Sequence, residues 1–237
     1  MKKILIYLLS TILMFAIASL SMPETVLATQ STLTTSDTVE GIKKIKKDTV
    51  NAVIIGDSIA ASQGASNPLT TGWDSNLNTF LFKEFSNKIL WDNKARSGTT
   101  VDYCLKRAKE IKSTTDAVFV CVGRNDRRVY TPDQFSKKYT RLIQNIKRKA
   151  PNADVFCIVE PPMNFQNESL FLGIRTAIID VSYDTGSYVL DSWGPFPKGQ
   201  MFLSDLLTDG LHPNDIGYET MSKYMFRQIY WLIDHDR

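Results

Sequence analysis

From residue 49 onward the chain alternates solid apolar runs of strand length with stretches whose apolar residues share one helical face. The run Ala52-Val53-Ile54-Ile55 is rich in β-branched residues and stops at Gly56-Asp57-Ser58. Such a run reads as a strand buried on both faces of a parallel sheet. Trp73, Leu77, Phe80, Leu81 and Phe85 predict a helix over 72–85, followed by a second strand over 89–95 that ends at Arg96-Ser97-Gly98. Val101, Leu105, Ala108 and Ile111 place a helix over 99–112, and the apolar run 116–122 is a third strand ending at Gly123-Arg124-Asn125-Asp126. Thr131-Pro132-Asp133-Gln134 is a helix start, with a capping Thr and Pro in the first turn, and Phe135, Tyr139, Leu142, Ile143 and Ile146 continue its apolar face. A fourth strand over 153–159 stops at Glu160-Pro161-Pro162, and a helix over 167–183, a short strand over 188–191 and a closing helix over 214–233 follow. The stretch 192–207 has no period and reads as a loop. Its Trp193, Phe196 and Phe202 either line a substrate groove or pack the loop onto the core.

Strands alternating with helices of this length imply a parallel sheet of about five strands with helices on both faces. That is an α/β fold of three layers, an α/β/α sandwich, formed by a single domain over 49–237. Ligands of such sheets bind beyond the carboxyl ends of the strands. Ser58 stands at that edge, and several of the other loops there hold chemically competent groups.

The ends of the chain add a location. Met1-Lys2-Lys3, an apolar run over 4–20 and Val26-Leu27-Ala28 compose a secretory signal peptide over 1–28, cleaved after Ala28. Left uncleaved, a run of this length serves as a membrane anchor. The protein is therefore expected to be secreted or associated with the cell surface. The aperiodic Thr- and Ser-rich stretch that follows, with the basic cluster behind it, reads as a disordered linker over 29–48. Lys43, Lys44, Lys46 and Lys47 in that cluster either meet anionic cell-wall polymer or are a solvated charge run. A formal net charge of +3 with no stripe of basic and aromatic residues argues against a nucleic-acid partner. Three cysteines, Cys104, Cys121 and Cys157, are too few and too scattered for a disulfide framework or a zinc site. Cys121 and Cys157 lie inside strand-like runs, so they are packing residues by default, with a bridge between them open if the strands are neighbours.

With two histidines in the chain, His212 and His235, an imidazole base has nearly one choice, because His235 sits at the frayed C-terminus. His212 lies in Asp209-Gly210-Leu211-His212-Pro213, where a turn at Gly210 brings the Asp209 carboxylate onto one ring nitrogen and leaves the other to face a hydroxyl. A serine attacking an acyl carbon also needs donors for the developing oxyanion. The N–H of Ser58, the N–H of Gly98 and the amide of Asn125 make a three-donor set at the strand ends. A metal-dependent alternative with Asp57, Asp209 and His212 as ligands lacks the clustered spacing of a metal motif.

Gly56-Asp57-Ser58, Gly98, Gly123-Arg124-Asn125-Asp126 and Asp209-Gly210-Leu211-His212-Pro213 resemble, in order, the four blocks of the SGNH (GDSL-type) hydrolases. The second block carries Gly98 without a preceding Asn. The resemblance implies a flavodoxin-like sandwich and ester hydrolysis without metal or organic cofactor. By the same resemblance Ser58 is nucleophile and first oxyanion donor, Gly98 and Asn125 are the other donors, His212 is the base, and Asp209 orients it. Ala60 stands where an α/β-hydrolase elbow has its second glycine, which favours the sandwich. A small secreted chain without a lid-like apolar insertion points to short acyl groups, acetyl on a polysaccharide above all. Arg124, Arg127 and Arg128 flank Asn125 and either line the mouth of the site, where they favour an acidic glycan, or form a solvated cluster. Transfer of the acyl group to a sugar hydroxyl, or a silent cell-wall binding module, are the competing readings.

Overall fold

The computed structural model describes residues 38–165 and 167–235; the expected signal peptide and the expected linker as far as residue 37 lie outside them. Among the described residues five strands and seven α-helices follow one another as β1 (Val50–Gly56), α1 (Pro68–Thr71), α2 (Trp73–Phe85), β2 (Ile89–Asn93), α3 (Val101–Arg107), β3 (Ala117–Cys121), α4 (Pro132–Lys149), β4 (Asp154–Val159), α5 (Ser169–Asp184), β5 (Tyr188–Asp191), α6 (Gln200–Ser204) and α7 (Asp215–His235). The strands form one parallel sheet in the order β2-β1-β3-β4-β5. This is the three-layer α/β/α sandwich that the alternation predicts.

The two faces of the sheet follow from the period of two along each strand. Ala52 and Ile54 of β1, Phe119 and Cys121 of β3 and Phe156 and Ile158 of β4 face α2 and α7, whose Trp73, Leu77, Tyr218, Met221 and Met225 complete one core. Val53, Ile55, Val118, Val120, Val155 and Cys157 point the other way and meet α3, α4 and α5. The same parity disposes of the disulfide left open above. Cys157 is in register with Val120, and Cys121 with Ile158. The two thiols therefore project from opposite faces, and all three cysteines are free and buried.

Three boundaries differ from the sequence reading. The linker assigned to 29–48 ends earlier, because Val39, Ile42 and Ile45 are fully buried. Ile42–Lys46 form a 3-10 helix, held by Asp154 at the start of β4, whose Oδ2 accepts the Ile42 N–H at 2.7 Å. Counting lysines hid two isoleucines spaced to bury one side of a short helix. Helix 99–112 stops at Arg107 and continues as a 3-10 turn over Ala108–Glu110. The aperiodic segment 192–207 contains α6, a helix too short to show a period.

The loop after β3 ties the layers together. Asp126, fully buried, accepts the Val101 N–H through both oxygens, at 3.0 and 3.3 Å, and so caps α3 from outside its own sequence. Burial, only partly offset by that N–H, raises its carboxyl to about 7.

Two stability measurements follow. Ile45→Ala is expected to cost about 2–5 kcal/mol in denaturant unfolding, as a core truncation does, whereas a change within about 0.5 kcal/mol would mark the segment as a linker after all. Asp126 has its folded-state value above the ordinary 3.8, so the native state binds its proton more tightly than the unfolded chain does. Its stabilising contribution is present below that ordinary value and is lost as the pH rises towards about 7. We expect Asp126→Asn to flatten the fall in melting temperature across this window; an unchanged slope would refute the assignment.

Candidate active site

In a sheet ordered β2-β1-β3-β4-β5 the chain reverses its direction of growth between β1 and β3. A crevice opens beyond the strand ends at such a point, and Ser58 follows β1 there while Asn125 follows β3. The loop after β1 is wound tightly on itself. The Asp57 carboxylate accepts the Ile59 N–H at 3.0 Å, the Asp57 carbonyl accepts the Ala61 N–H at 3.0 Å, and the Ser58 carbonyl accepts the Gln63 N–H at 2.9 Å.

His212 is delivered from the far end of the chain. Its Nε2 lies 2.9 Å from Ser58 Oγ, and its Nδ1 lies 2.7 Å from Asp209 Oδ2. Asp209 Oδ1 also accepts the backbone N–H of His212 at 2.8 Å and of Leu211 at 3.0 Å. The carboxylate fixes the ring orientation and the tautomer in which Nε2 accepts the serine proton. Partial burial pushes the Asp209 carboxyl up, but the His212 N–H, the imidazole and the Leu211 N–H outweigh it and hold the group below the ordinary carboxylate range. Ser58 and His212 are buried to 8% and 7% exposure, so the hydroxyl–imidazole contact is shielded from water.

The two loops are stapled together. Thr208 Oγ1 donates to the Gly64 carbonyl at 2.8 Å, Tyr218 Oη to the Gln63 carbonyl at 2.6 Å, and Ser66 Oγ to Asp215 at 2.6 Å. At Gly64, where φ is +100°, a Cβ would lie 2.5 Å from the Pro213 carbonyl oxygen and 2.9 Å from His212 Cβ. Only glycine lets the loops approach this closely.

The three expected oxyanion donors gather at the same edge. Among the described residues the backbone N–H groups of Ser58 and Gly98 have no intramolecular acceptor. Gly98 adopts φ +76°, and a Cβ there would meet nothing within 4 Å. The backbone angle, rather than crowding, requires glycine at this position. Asn125 Nδ2 donates to the Thr99 carbonyl at 2.9 Å and, at 3.3 Å, to Asp57 Oδ2. Asp57, weighed in the sequence as a metal ligand, thus lies beneath the serine loop as an acceptor for its neighbours.

The arginines separate. Arg124 is only 2% exposed: its guanidinium lies 3.9 Å from the Phe171 ring centroid and near Trp193, pairs with Glu168 and donates to the Pro161 carbonyl. It braces the loop after β4 and does not face substrate, contrary to the expectation that all three arginines line the mouth. Arg127 and Arg128 do line a cleft of about 210 Å³ with Asn125, Phe165 and Leu211. Of the loop aromatics, Phe196 is buried in the core and Phe202 is exposed on α6, while Trp193 stacks on Phe171. Sequence reading missed Phe165 and Leu211 as lining residues. It also missed Glu160, fully buried with its Oε2 accepting the Arg124 N–H at 2.7 Å; a carboxylate closing an apolar strand was the available signal.

Residues 54–220 match the family described as GDSL-like lipase/acylhydrolase. No curated protein matches the chain. Solved structures share its fold at low identity. A member of the lipolytic G-D-S-L family from Veillonella parvula is 18% identical with a TM-score of 0.59, over 75% of this chain and 97% of that one. An acetylxylan esterase from Geobacillus stearothermophilus is 19% identical with a TM-score of 0.60, over 76% and 94%. A two-domain esterase active on acetylated mannans is 16% identical with a TM-score of 0.68, over 81% of this chain and 53% of that one. The family match runs from β1, just before Ser58, past His212 into α7, and the chain belongs to the GDSL-like lipase/acylhydrolase family, as a serine hydrolase acting on carboxylic ester bonds.

Proposed function

We propose that the protein is a secreted or cell-surface esterase that removes short acyl groups, acetyl above all, from carbohydrate or cell-wall polymer. The observation that carries the reading is the unbroken relay from Asp209 through His212 to Ser58, at 2.7 and 2.9 Å. In it His212 takes the Ser58 proton as Oγ attacks the ester carbonyl, and Asp209 steadies the imidazolium that forms. The oxyanion is met by the N–H groups of Ser58 and Gly98 and by Asn125 Nδ2, each donor contributing about 3 kcal/mol to transition-state stabilisation. His212 then protonates the leaving alcohol, and water, activated by the same imidazole, releases the acyl group from Ser58.

The substrate class is supported by two further features. Structures of the same fold include esterases named for acetylxylan and for acetylated mannans. The cleft beside Asn125 combines the flat ring of Phe165, suited to a sugar face, with Arg127 and Arg128, suited to a carboxylate on the polymer. Lys46 and Lys47 are exposed and suit an anionic wall polymer, whereas Lys44 pairs with Asp116 at 3.0 Å.

The purified protein is expected to release acetate from a small aryl acetate and from acetylated xylan, mannan or peptidoglycan. Ser58→Ala should lower kcat at least about a thousandfold, and Asp209→Asn about a hundredfold or more, with the fold retained. Acyl groups that appear on an added sugar acceptor in place of free acetate would replace hydrolysis by transfer; a folded protein inactive on every ester would sink the reading. On acidic against neutral acetylated glycans, Arg127→Ala with Arg128→Ala should remove a preference of about fivefold, the size of a solvated ion pair. Equal rates on both polymers before and after the change would dismiss the acidic glycan.

A further inference from the structure

Beneath the serine loop lies a pair of buried acids that the acyl-transfer cycle leaves unused. Asp57 follows β1 and Glu160 follows β4; both side chains are fully buried, and the two carboxyls are in hydrogen-bonding contact. Their other partners are unequal. Asp57 accepts the Ile59 N–H at 3.0 Å and Asn125 Nδ2 at 3.3 Å. Glu160 accepts the Arg124 N–H through Oε2 at 2.7 Å, while its Oε1 is buried with no donor.

Two carboxylates in contact away from water do not both ionise. A proton on Glu160 Oε1 settles the conflict: it turns an orphaned acceptor into a donor and leaves the charge on Asp57, which has the more donors. The surroundings favour that arrangement. Burial, with the neighbouring Asp57 charge, drives the Glu160 carboxyl well above the ordinary range. Asp126, in the loop after β3, repels negative charge there, while Arg124 and the half-buried Arg127 attract it. Cys104 of α3, Cys121 of β3 and Tyr218 of α7 add no charge of their own, since burial holds their protons on.

We propose that Glu160 is a positioning residue: it keeps its proton through the reaction and donates it to the Asp57 carboxylate, holding the pair at one negative charge beneath Asn125. This rests on the reading of Asn125 as an oxyanion donor. One N–H of its amide is anchored on the Thr99 carbonyl; the other reaches Asp57 over a long 3.3 Å contact. A weak contact of that kind yields to a stronger acceptor. With Glu160 ionised, Asp57 loses its donor, draws the Asn125 N–H to itself, and a second charge beneath the site opposes the oxyanion. No proton leaves the pair during turnover.

The protonation state is tested on the intact protein without reference to its activity. An infrared difference spectrum between wild type and Glu160→Gln, at a pH above the values of Asp57, Asp126 and Asp154, should show the C=O stretch of one buried carboxylic acid. Ser58→Ala should keep that band. Its absence from wild type overturns the proposal, whether or not the esterase reading stands. Kinetics test the consequence. Glutamine reproduces the protonated acid, its carbonyl accepting the Arg124 N–H and its amide donating to Asp57, so kcat on an aryl acetate should stay within about threefold of wild type and its decline at alkaline pH should disappear. Glu160→Ala should lose kcat about 10- to 100-fold at nearly constant KM. A glutamine variant as impaired as the alanine one, or one that keeps the alkaline decline, would refute the role.

Discussion

Everything at the site depends on holding together two loops that lie 154 positions apart in sequence, so that His212 Nε2 rests 2.9 Å from Ser58 Oγ. Neither loop belongs to an element that would place it by itself. One is tied by the carboxylate of Asp57 to its own first turn; the other is tied by Asp209 to the N–H groups of Leu211 and His212. What joins them is a short list of polar staples and one glycine contact, packed where α7 closes the sandwich. A slack of one ångström would break the hydroxyl–imidazole contact while leaving the sheet intact, and effective catalysis is sensitive to displacements of that size.

The sheet supplies the rest. Because β1 and β3 are neighbours while their crossovers run to opposite sides, the ends of these two strands bring the serine loop and Asn125 to one crevice. The loop after β4 is recruited as well, though through structure rather than substrate contact: Arg124 is pinned between Phe171 and Glu168, and its backbone N–H is spent on Glu160. Buried polar groups of this density are stable only when most are paired, and Glu160 Oε1 is, among the described residues, a buried carboxyl oxygen without a donor.

Much of this was legible from the chain. Apolar runs ending in Gly-Asp-Ser and Gly-Arg-Asn-Asp mark strands whose ends bring Ser58 and Asn125 to one edge, and the spacing of Asp209 to His212 marks a carboxylate folded onto an imidazole. What escaped were features set by three-dimensional partners. Arg124 reads like Arg127 and Arg128 in sequence, yet a ring and a carboxylate supplied by α5 and the loop before it draw it inside. Ile42 and Ile45 sit among lysines, and only the cap offered by Asp154 reveals them as core. Glu160 carries no motif, since its meaning depends on Asp57, which approaches it from two strands away.

The anchoring of Ile42–Lys46 has a directional consequence. Glu40 and Ile42 bond to Asp154 at the start of β4, and Thr38 meets Tyr188 at the start of β5. These are the amino ends of the strands, whereas Ser58 and His212 stand at the carboxyl ends. The described chain therefore begins on the side of the sheet opposite the serine and the histidine, so the contacts that anchor its start and those that join the two loops draw on opposite ends of the same strands.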